Sequence, residues 1–327
     1  MDMQGDSRTG ARSGSAVVFP GMGASSFADV GRFMVANPFA RRRAAIAGEV
    51  LGYSLIDRYR DSEHDYTEAA QVAFLANCLA LAEWAEAELG MAPQLCAGPS
   101  FGGKTAAAYA GCLPFSEAVL MTARLARCQE EYFASEHRDV VTLSFVRTPR
   151  AGLDEVLGEL DERNEWHDMA CYIDDDFHMV SLREAALEWF KGRIRALGGM
   201  SLYTMRPPLH SVAFGALRRK AEDEVLGRLP FADPRLPVVS DHDGTLLRTG
   251  DEVRTLLLDG IVRPLRWPTV VDTLLGRGVG TVHVAGPDNL FGRVRRTTAH
   301  FEVVRVNPRL ALQPRRPAAV RAGGDAR

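Results

Sequence analysis

The stretch LCAGPSFGGKTAAAYAG, residues 95–111, places a serine between two glycines in the pattern G-P-S-F-G at 98–102. A short apolar run precedes this pattern, and an alanine-rich run follows it. A strand, a sharp turn and a helix in that order form a nucleophile elbow, which exposes a serine hydroxyl at the end of a sheet. The stretch therefore predicts an α/β fold with Ser100 as a candidate nucleophile. The alternative is a serine that only caps a helix.

The composition excludes several classes of protein. The chain has 327 residues, 25% of them charged, and a formal net charge of −3, which argues against a nucleic-acid-binding surface. No apolar run approaches the roughly 20 residues that a membrane span needs, and MDMQGDSRTGARSGS lacks the apolar core of a signal peptide. The five cysteines are scattered, which indicates reduced thiols and no zinc site. We expect a cytoplasmic protein without a metal, a nucleic acid or a membrane as partner.

The apolar pattern divides the chain into a core and an insertion. The strand AVVF at 16–19, a helix at 67–90 and alternating strands and helices after residue 206 are typical of an α/β core. Residues 136–205 give the order β-α-β-β-α-β of a ferredoxin-like unit. The predicted fold is an α/β-hydrolase-like core with an inserted ferredoxin-like subdomain. Its expected parts are a flexible N-terminus at 1–15, the core at 16–135 and 206–308, the subdomain at 136–205 and a disordered tail at 309–327.

A serine hydroxyl attacks efficiently only when a base takes its proton and two donors receive the developing oxyanion. Among the eight histidines, His210 in RPPLHSVAF (206–214) is the best candidate base, because two prolines fix its approach to a predicted helix start. The backbone amide of Phe101 is one candidate donor, and the glycine-containing loop FPGMGA (19–24) can supply another. A histidine that only caps a helix remains the alternative.

Four segments together resemble one family: FPGMGA; the helix that contains Gln71; GPSFGG; and PLHSVAF. Their order and spacing are similar to those of the malonyl-CoA:acyl-carrier-protein transacylases and the polyketide synthase acyltransferases. The usual motifs of that family are FPGQGSQ, GHSLGE and a histidine in the setting P-x-H-x-x-x-M. The resemblance covers roughly residues 16–306, and VHVAGPDNLFGRV (282–294) matches the family's closing glycine-proline turn.

The resemblance implies a function and a set of site residues. Ser100 would be the nucleophile and His210 its base, oriented by a backbone carbonyl; the amides of Met22 and Phe101 would form the oxyanion hole, and Gln71 would line the site. The implied reaction is ping-pong transfer from an acyl-CoA or acyl-carrier-protein donor to the phosphopantetheine thiol of an acyl carrier protein, in polyketide biosynthesis. No bound cofactor is implied, since coenzyme A or phosphopantetheine is the handle of the substrate.

The sequence departs from the family at four positions. Met22 replaces a glutamine, Pro99 replaces the histidine of GHS, and Gly103 replaces a glutamate. Leu125 falls where malonyl-using members have an arginine, whose planar fork clamps the free carboxylate. We therefore expect a monoacyl or aminoacyl group, or another chain that has no free carboxylate. Gln71, Leu125 and Pro99 are the candidate substrate-binding residues.

Four other interpretations stay open. A thioesterase on the same scaffold would pass the acyl group to water, and a degenerate paralogue would bind a carrier protein without catalysis. An ordinary α/β-hydrolase would use Ser100, Asp259 and His283 as its triad. The stretch DHDGTLL (241–247) also resembles the motif of haloacid-dehalogenase-type phosphatases, with Asp241 as nucleophile. That fold needs a downstream lysine, which this chain lacks, so an aspartate-glycine turn is the simpler account.

Overall fold

The first part of the core runs from the first strand to the long helix that precedes the insertion. The computed structural model describes residues 12–23, 26–62 and 65–314. The elements of this part are β1 (Gly14–Val18), α1 (Phe27–Ala36), α2 (Pro38–Leu51), α3 (Leu55–Arg60), α4 (Glu68–Leu89), β2 (Leu95–Ala97), α5 (Gly102–Tyr109) and α6 (Phe115–Ser135).

Helix α4 lies at the centre of the core, as its apolar composition predicts. The hydroxyl of Thr67 accepts a hydrogen bond from the amide of Ala70 at its start. Gly90 ends it with a left-handed φ of +67°, a conformation that glycine adopts without steric cost. Most of its side chains are buried on every face, because α2, α3, α5 and α6 all pack against it.

The inserted segment forms a second, mainly antiparallel sheet. Its elements are β3 (Val140–Val146), α7 (Arg150–Glu162), β4 (His167–Asp174), β5 (Phe177–Arg183), α8 (Leu187–Ala196) and β6 (Met200–Met205). The strand order β6-β3-β5-β4 is that of a ferredoxin-like unit, so the predicted subdomain is confirmed. Helices α7 and α8 bury Leu153, Phe190 and Ile194 against Phe145 of β3.

The last third of the chain returns to the core. Its elements are α9 (Gly215–Glu224), β7 (Val238–Val239), β8 (Leu246–Leu247), α10 (Gly250–Val262), β9 (Leu265–Arg266), α11 (Trp267–Gly276), β10 (Val279–Ala285), α12 (Arg295–Thr298), β11 (Glu302–Val306) and α13 (Pro308–Ala311). None of the helices in the described ranges combines the length and apolar composition that a bilayer-spanning segment requires.

Strands from both parts of the core build one sheet, ordered β11-β10-β1-β2-β7-β8. All neighbouring strands are parallel except the pair β7 and β8. The predicted α/β fold class is therefore confirmed. Because β2 and β7 are parallel neighbours, the segments that follow them emerge at the same edge of the sheet, where α/β proteins place their sites.

Three boundaries differ from the prediction. Strand β9, from the second part of the core, pairs with β4 and so adds a fifth strand to the subdomain sheet. Residues 14 and 15 belong to β1 rather than to a flexible N-terminus, and residues 309–311 lie in α13 rather than in a disordered tail. Residues 1–11 and 315–327 of those two predicted segments lie outside the described residues.

Candidate active site

Ser100 occupies a sharp turn between β2 and α5. Its φ is +54°, a left-handed conformation that a residue with a Cβ adopts at a cost. The two glycines of the motif are sterically required: a Cβ on Gly98 would lie 2.1 Å from the carbonyl oxygen of Gly102, and one on Gly102 would lie 2.0 Å from that of Phe19. The geometry is that of a nucleophile elbow.

The side chain of Ser100 contacts His210. The serine Oγ lies 2.9 Å from His210 Nε2, and His210 Nδ1 lies 3.2 Å from the carbonyl oxygen of Arg263. A carbonyl oxygen can only accept, so the imidazole proton resides on Nδ1 and Nε2 is free to accept from the serine hydroxyl. This tautomer is the one that a general base for Ser100 requires.

The backbone around His210 is held by the end of α10. The amides of His210 and Ser211 both donate to the carbonyl oxygen of Ile261, at 3.0 and 3.3 Å. His210 has a left-handed φ of +67° and is buried. Burial, which disfavours the charged imidazolium, lowers the pKa of His210 to about 4, although the nearby carboxylate of Asp241 acts in the opposite direction. The imidazole is therefore neutral at physiological pH.

A buried carboxylate supports the elbow from the neighbouring strand. Asp241 lies two residues after the end of β7, and its Oδ2 accepts a hydrogen bond of 2.7 Å from the backbone amide of Ser100. Its Oδ1 lies 3.5 Å from Nε2 of His242. Asp241 is 4% exposed. The carboxylate thus fixes the backbone conformation of Ser100, the candidate nucleophile, and lies beside His210, the candidate base.

A largely apolar cleft of about 900 Å³, which includes its opening to solvent, gives access to Ser100. Helices α4, α5, α6 and α10 and the segment from Met205 to His210 form its walls. Of the sequence-predicted residues, Met22, Gln71, Phe101 and Leu125 line this cleft together with Ser100 and His210. Further lining residues are Tyr66, Lys104, Gln129, Asp241, Leu256, Leu257 and Ile261.

Pro99 does not line the cleft, in contrast to its prediction as a substrate-binding residue. It is buried, and its carbonyl accepts the hydrogen bond of 3.0 Å from the amide of Gly102 that closes the turn. The amides of Met22 and Phe101, predicted to form the oxyanion hole, donate to no group among the described residues. The oxyanion role of Met22 and Phe101 stays a prediction.

Gln71 and Lys104 form a polar pair in the wall of the cleft. Gln71 Nε2 donates to the carbonyl of Tyr66 at 3.0 Å, and Gln71 Oε1 accepts from Lys104 Nζ at 3.2 Å. The Lys104 ammonium also lies 4.4 Å from the ring centroid of Phe101. Burial lowers the pKa of Lys104 to about 7.

Leu125 lies on the face of α6 that points into the cleft, and it is 4% exposed. The neighbouring arginines point elsewhere: Arg124 is exposed, and Arg127 forms an ion pair of 2.8 Å with Glu68. Neither arginine lines the cleft. The wall at Leu125 therefore offers no cation to a substrate carboxylate.

The structure does not bring together the residues of the α/β-hydrolase triad, and it does not leave Asp241 free as a phosphatase nucleophile. His283 lies within β10, in register with Val17 of β1 and Val304 of β11, and Asp259 forms an ion pair of 3.1 Å with Arg218. For the phosphatase interpretation, Asp241 is the expected nucleophile, but its carboxylate is engaged by the amide of Ser100.

Sequence reasoning considered Asp241 only as the nucleophile of the phosphatase interpretation and missed its contact with the elbow, and it missed Lys104 as a residue of the cleft. A signal existed for Asp241, because an aspartate in the turn that follows a buried strand can meet the residues that follow the adjacent parallel strand. Lys104 lies four residues after Ser100, a spacing that keeps two residues on one side of a helix. Its burial depends on the packing of α4 over α5, which the local sequence does not reveal.

Comparisons with known proteins agree with this geometry. A family described as "VinK acyltransferase small domain" matches residues 144–205. The malonyl CoA-acyl carrier protein transacylase of Bacillus subtilis is 26% identical over 295 residues, which cover 88% of this chain and 72% of that protein.

Two solved structures share the fold. The malonyl CoA-acyl carrier protein transacylase of Coxiella burnetii superposes with a TM-score of 0.81 at 21% identity, covering 92% of this chain and 96% of the other. A malonyl-transacylase solved in complex with its type II polyketide synthase acyl-carrier protein gives a TM-score of 0.79 at 23% identity, covering 89% and 95%. The resemblance inferred from the motifs is thus confirmed: in sequence and in fold, the chain is a relative of the malonyl-CoA:acyl-carrier-protein transacylases.

Proposed function

We propose that this protein is an acyltransferase that moves an acyl group from a thioester donor to the phosphopantetheine thiol of an acyl carrier protein. The observation that carries the proposal is the contact of 2.9 Å between Ser100 Oγ and His210 Nε2, with His210 Nδ1 held by the Arg263 carbonyl. A serine and a neutral histidine in this tautomer are the machinery of covalent acyl transfer.

In the first half-reaction, His210 Nε2 takes the hydroxyl proton as Ser100 Oγ attacks the thioester carbonyl carbon. The carbonyl oxygen becomes an oxyanion, which the amides of Met22 and Phe101 would stabilise. Collapse of this intermediate breaks the carbon–sulfur bond, and the imidazolium returns its proton to the departing thiolate. The products are acyl-Ser100 and a free thiol.

In the second half-reaction, the thiol of the acceptor carrier protein enters the same cleft. His210 takes the thiol proton, the thiolate attacks the ester carbon, and the proton then goes to the departing Ser100 oxygen. No metal or redox cofactor enters this scheme; coenzyme A or phosphopantetheine is the handle by which the acyl group arrives and leaves. The kinetics are expected to be ping-pong.

We propose that the acyl group lacks a free carboxylate. Leu125 is buried in the wall of the cleft where malonyl-using relatives place an arginine, and Arg124 and Arg127 lie outside it. A carboxylate facing this leucine would lose water without gaining a partner, which is costly. A monoacyl or otherwise uncharged chain fits this part of the wall better.

We assign the reaction to polyketide assembly in the cytoplasm. Support for polyketide assembly comes from the structurally similar malonyl-transacylase that was solved with a polyketide synthase carrier protein. Support for a reducing compartment comes from the five cysteines, which are buried and form no disulfide. The carrier protein is the expected macromolecular partner.

Intact-protein mass spectrometry after brief incubation with acyl thioesters tests this function. The panel contains malonyl, acetyl and hexanoyl groups on coenzyme A and on a carrier protein. We expect an adduct of acyl mass on the wild-type protein and on Ser135→Ala, a variant of a serine that does not line the cleft. Ser100→Ala is expected to form no adduct, and carrier protein added to the isolated acyl-enzyme is expected to become acylated.

Other results would contradict the proposal in different ways. Free acid released without acylation of the carrier protein would indicate a thioesterase. An adduct that persists in Ser100→Ala would place the nucleophile elsewhere. The absence of any adduct and of any turnover would favour a protein that only binds a carrier. A malonyl adduct formed as fast as the hexanoyl adduct would refute the proposed acyl class.

A further inference from the structure

We propose that Lys104 is a specificity residue, which donates a hydrogen bond to a neutral carbonyl oxygen carried by the acyl chain. The enzyme would accordingly prefer acyl groups with such an oxygen over plain alkyl chains and over chains that carry an amine or a carboxylate. This inference rests on the proposed acyl transfer through Ser100 and narrows its substrate class.

Lys104 is placed where an acyl chain bound to Ser100 would extend. Both residues line the same cleft, and they are separated by one turn of chain: the amide of Gly103 donates to the Ser100 carbonyl, and that of Lys104 to the Phe101 carbonyl. One helical turn corresponds to about 5 Å along the axis. An oxygen near the third to fifth carbon of the acyl group is therefore within reach of the Lys104 side chain.

The Lys104 ammonium has donors without acceptors. Below its lowered pKa of about 7, the side chain is mainly an ammonium with three N–H bonds; Gln71 Oε1 receives one of them, and the ring of Phe101 faces the nitrogen at 4.4 Å. The orientation of that amide is fixed, because Gln71 Nε2 donates to the Tyr66 carbonyl. Among the described residues no carboxylate forms an ion pair with Lys104, although the side chain is buried. Buried donors without a partner are costly, so the empty cleft is complementary to an acceptor on the ligand.

The chemistry of the wall selects among acceptors. An amine on the acyl chain would be a second cation beside Lys104, and burial makes that repulsion stronger than in water. A carboxylate would be attracted to the ammonium, but burying it costs far more hydration than burying a carbonyl, and a lysine lacks the planar fork by which arginine pairs both oxygens. Leu125 lines the same cleft and offers nothing to the second oxygen. A neutral carbonyl needs only the donors that Lys104 has free.

A set of length-matched acyl thioesters of N-acetylcysteamine tests this inference. The chains are hexanoyl, 3-oxohexanoyl, 5-oxohexanoyl, 5-aminopentanoyl and glutaryl, and the measurement is kcat/KM for formation of acyl-Ser100 at a pH about one unit below the lowered pKa of Lys104, by rapid quench and mass spectrometry. We expect at least one oxohexanoyl thioester to react roughly ten- to a hundredfold faster than hexanoyl, the ratio that a hydrogen bond to a charged donor supports. The aminopentanoyl and glutaryl chains are expected to react more slowly than either oxohexanoyl chain.

Lys104→Met keeps the length of the side chain and removes its donors. We expect the ratio of oxohexanoyl to hexanoyl reactivity to fall towards one in this variant. The matched control is Lys191→Met, which removes one of the two other lysines of the chain, on α8 of the subdomain. This control is expected to keep the wild-type ratio.

Several outcomes would overturn the inference. Equal reactivity of the oxo and alkyl chains in the wild type, or a preference for the amine or the carboxylate, would refute it even if Lys104→Met did not fold. A variant that slows every chain alike, with its ratio preserved, would show that Lys104 only supports Gln71. Acylation of Ser100 without selectivity leaves the proposed function intact, whereas no acylation by any thioester overturns both.

Discussion

The hydrogen bond between Asp241 and the elbow provides the sharpest test of the site. The amide of Ser100 donates to Asp241 Oδ2 at 2.7 Å, while Ser100 holds a left-handed φ of +54°. That conformation costs a residue with a Cβ about 1–2 kcal/mol. A hydrogen bond to a charged acceptor contributes about 1.5–3 kcal/mol, enough to offset the strain. Removing the carboxylate should therefore loosen the turn that presents the nucleophile.

Two substitutions at Asp241 separate the contribution of its charge from that of the hydrogen bond itself. Asp241→Asn retains a neutral acceptor, worth about 1 kcal/mol, so we expect the free energy of unfolding to fall by about 1 kcal/mol. Asp241→Ala leaves the Ser100 amide unpaired, and we expect a loss of about 2–3 kcal/mol. Both variants also remove the carboxylate beside the imidazolium that the proposed acylation would form on His210. We expect kcat/KM for acylation to fall in both variants and further in Asp241→Ala; each loss of about 1 kcal/mol in stabilisation of the transition state corresponds to about fivefold in rate.

Urea denaturation and rapid-quench acylation measure the two effects separately. The control is Asp243→Asn in the same turn, since the Asp243 side chain is 45% exposed and contacts Arg263 at 3.4 Å. Its rate of acylation is expected to stay within about threefold of the wild type, as for most exposed side chains. Wild-type stability and wild-type rate in Asp241→Ala would refute the argument. Phosphatase activity that disappears in Asp241→Asn would instead revive the phosphatase interpretation.

Three further predictions concern the base, the wall of the cleft and the elbow. The pKa of His210 is lowered to about 4, so the candidate base stays neutral as the pH falls, and kcat/KM for acylation by hexanoyl, a chain with no acceptor for Lys104, should change little between pH 7 and 5.5. An unperturbed histidine with a pKa of about 6.5 would lose roughly tenfold at pH 5.5, and such a loss would contradict the buried base. Leu125→Arg should raise malonyl relative to hexanoyl adduct formation at least tenfold, measured by mass spectrometry; an unchanged ratio would refute the role of this wall position. In urea denaturation, Ser100→Gly should be about 0.5–1 kcal/mol more stable than Ser100→Ala, because glycine adopts the left-handed φ freely; equal stabilities would argue against strain.

Much of the fold follows from local sequence patterns. The apolar run of α4 ends at a glycine, and the alternation of strands and helices at 140–205 fixes a ferredoxin-like order before any contact is known. The two-residue strands β8 and β9 are different, because so short a segment has no periodicity of its own. Residues 265 and 266 form strand β9 because they hydrogen-bond to β4. This is a tertiary interaction, which local sequence patterns do not encode.

The same distinction between local patterns and tertiary contacts separates the site residues that the sequence predicts from those that it misses. Ser100 and His210 lie in motifs whose turn residues are readable one segment at a time, and the structure brings their side chains to 2.9 Å. Asp241 lies in a turn that sequence alone explains as an aspartate-glycine bend. Asp241 reaches the amide of Ser100 only because β7 lies next to β2 in the sheet. The burial of Lys104 likewise depends on α4, which is distant in sequence.

The low pKa of the base connects the geometry of the site with the substrate class. A histidine that is protonated only near pH 4 is a weak base, but the imidazolium it forms is a correspondingly strong acid. Asp241 and the Arg263 carbonyl favour the charged imidazole, so they would stabilise this imidazolium in the proposed reaction. An acyl thioester suits such a site, because a thiolate with a pKa of about 8.5 leaves far more readily than an amide nitrogen. The buried Ser100–His210 pair is therefore better matched to exchanging acyl groups between thiols than to cleaving amides.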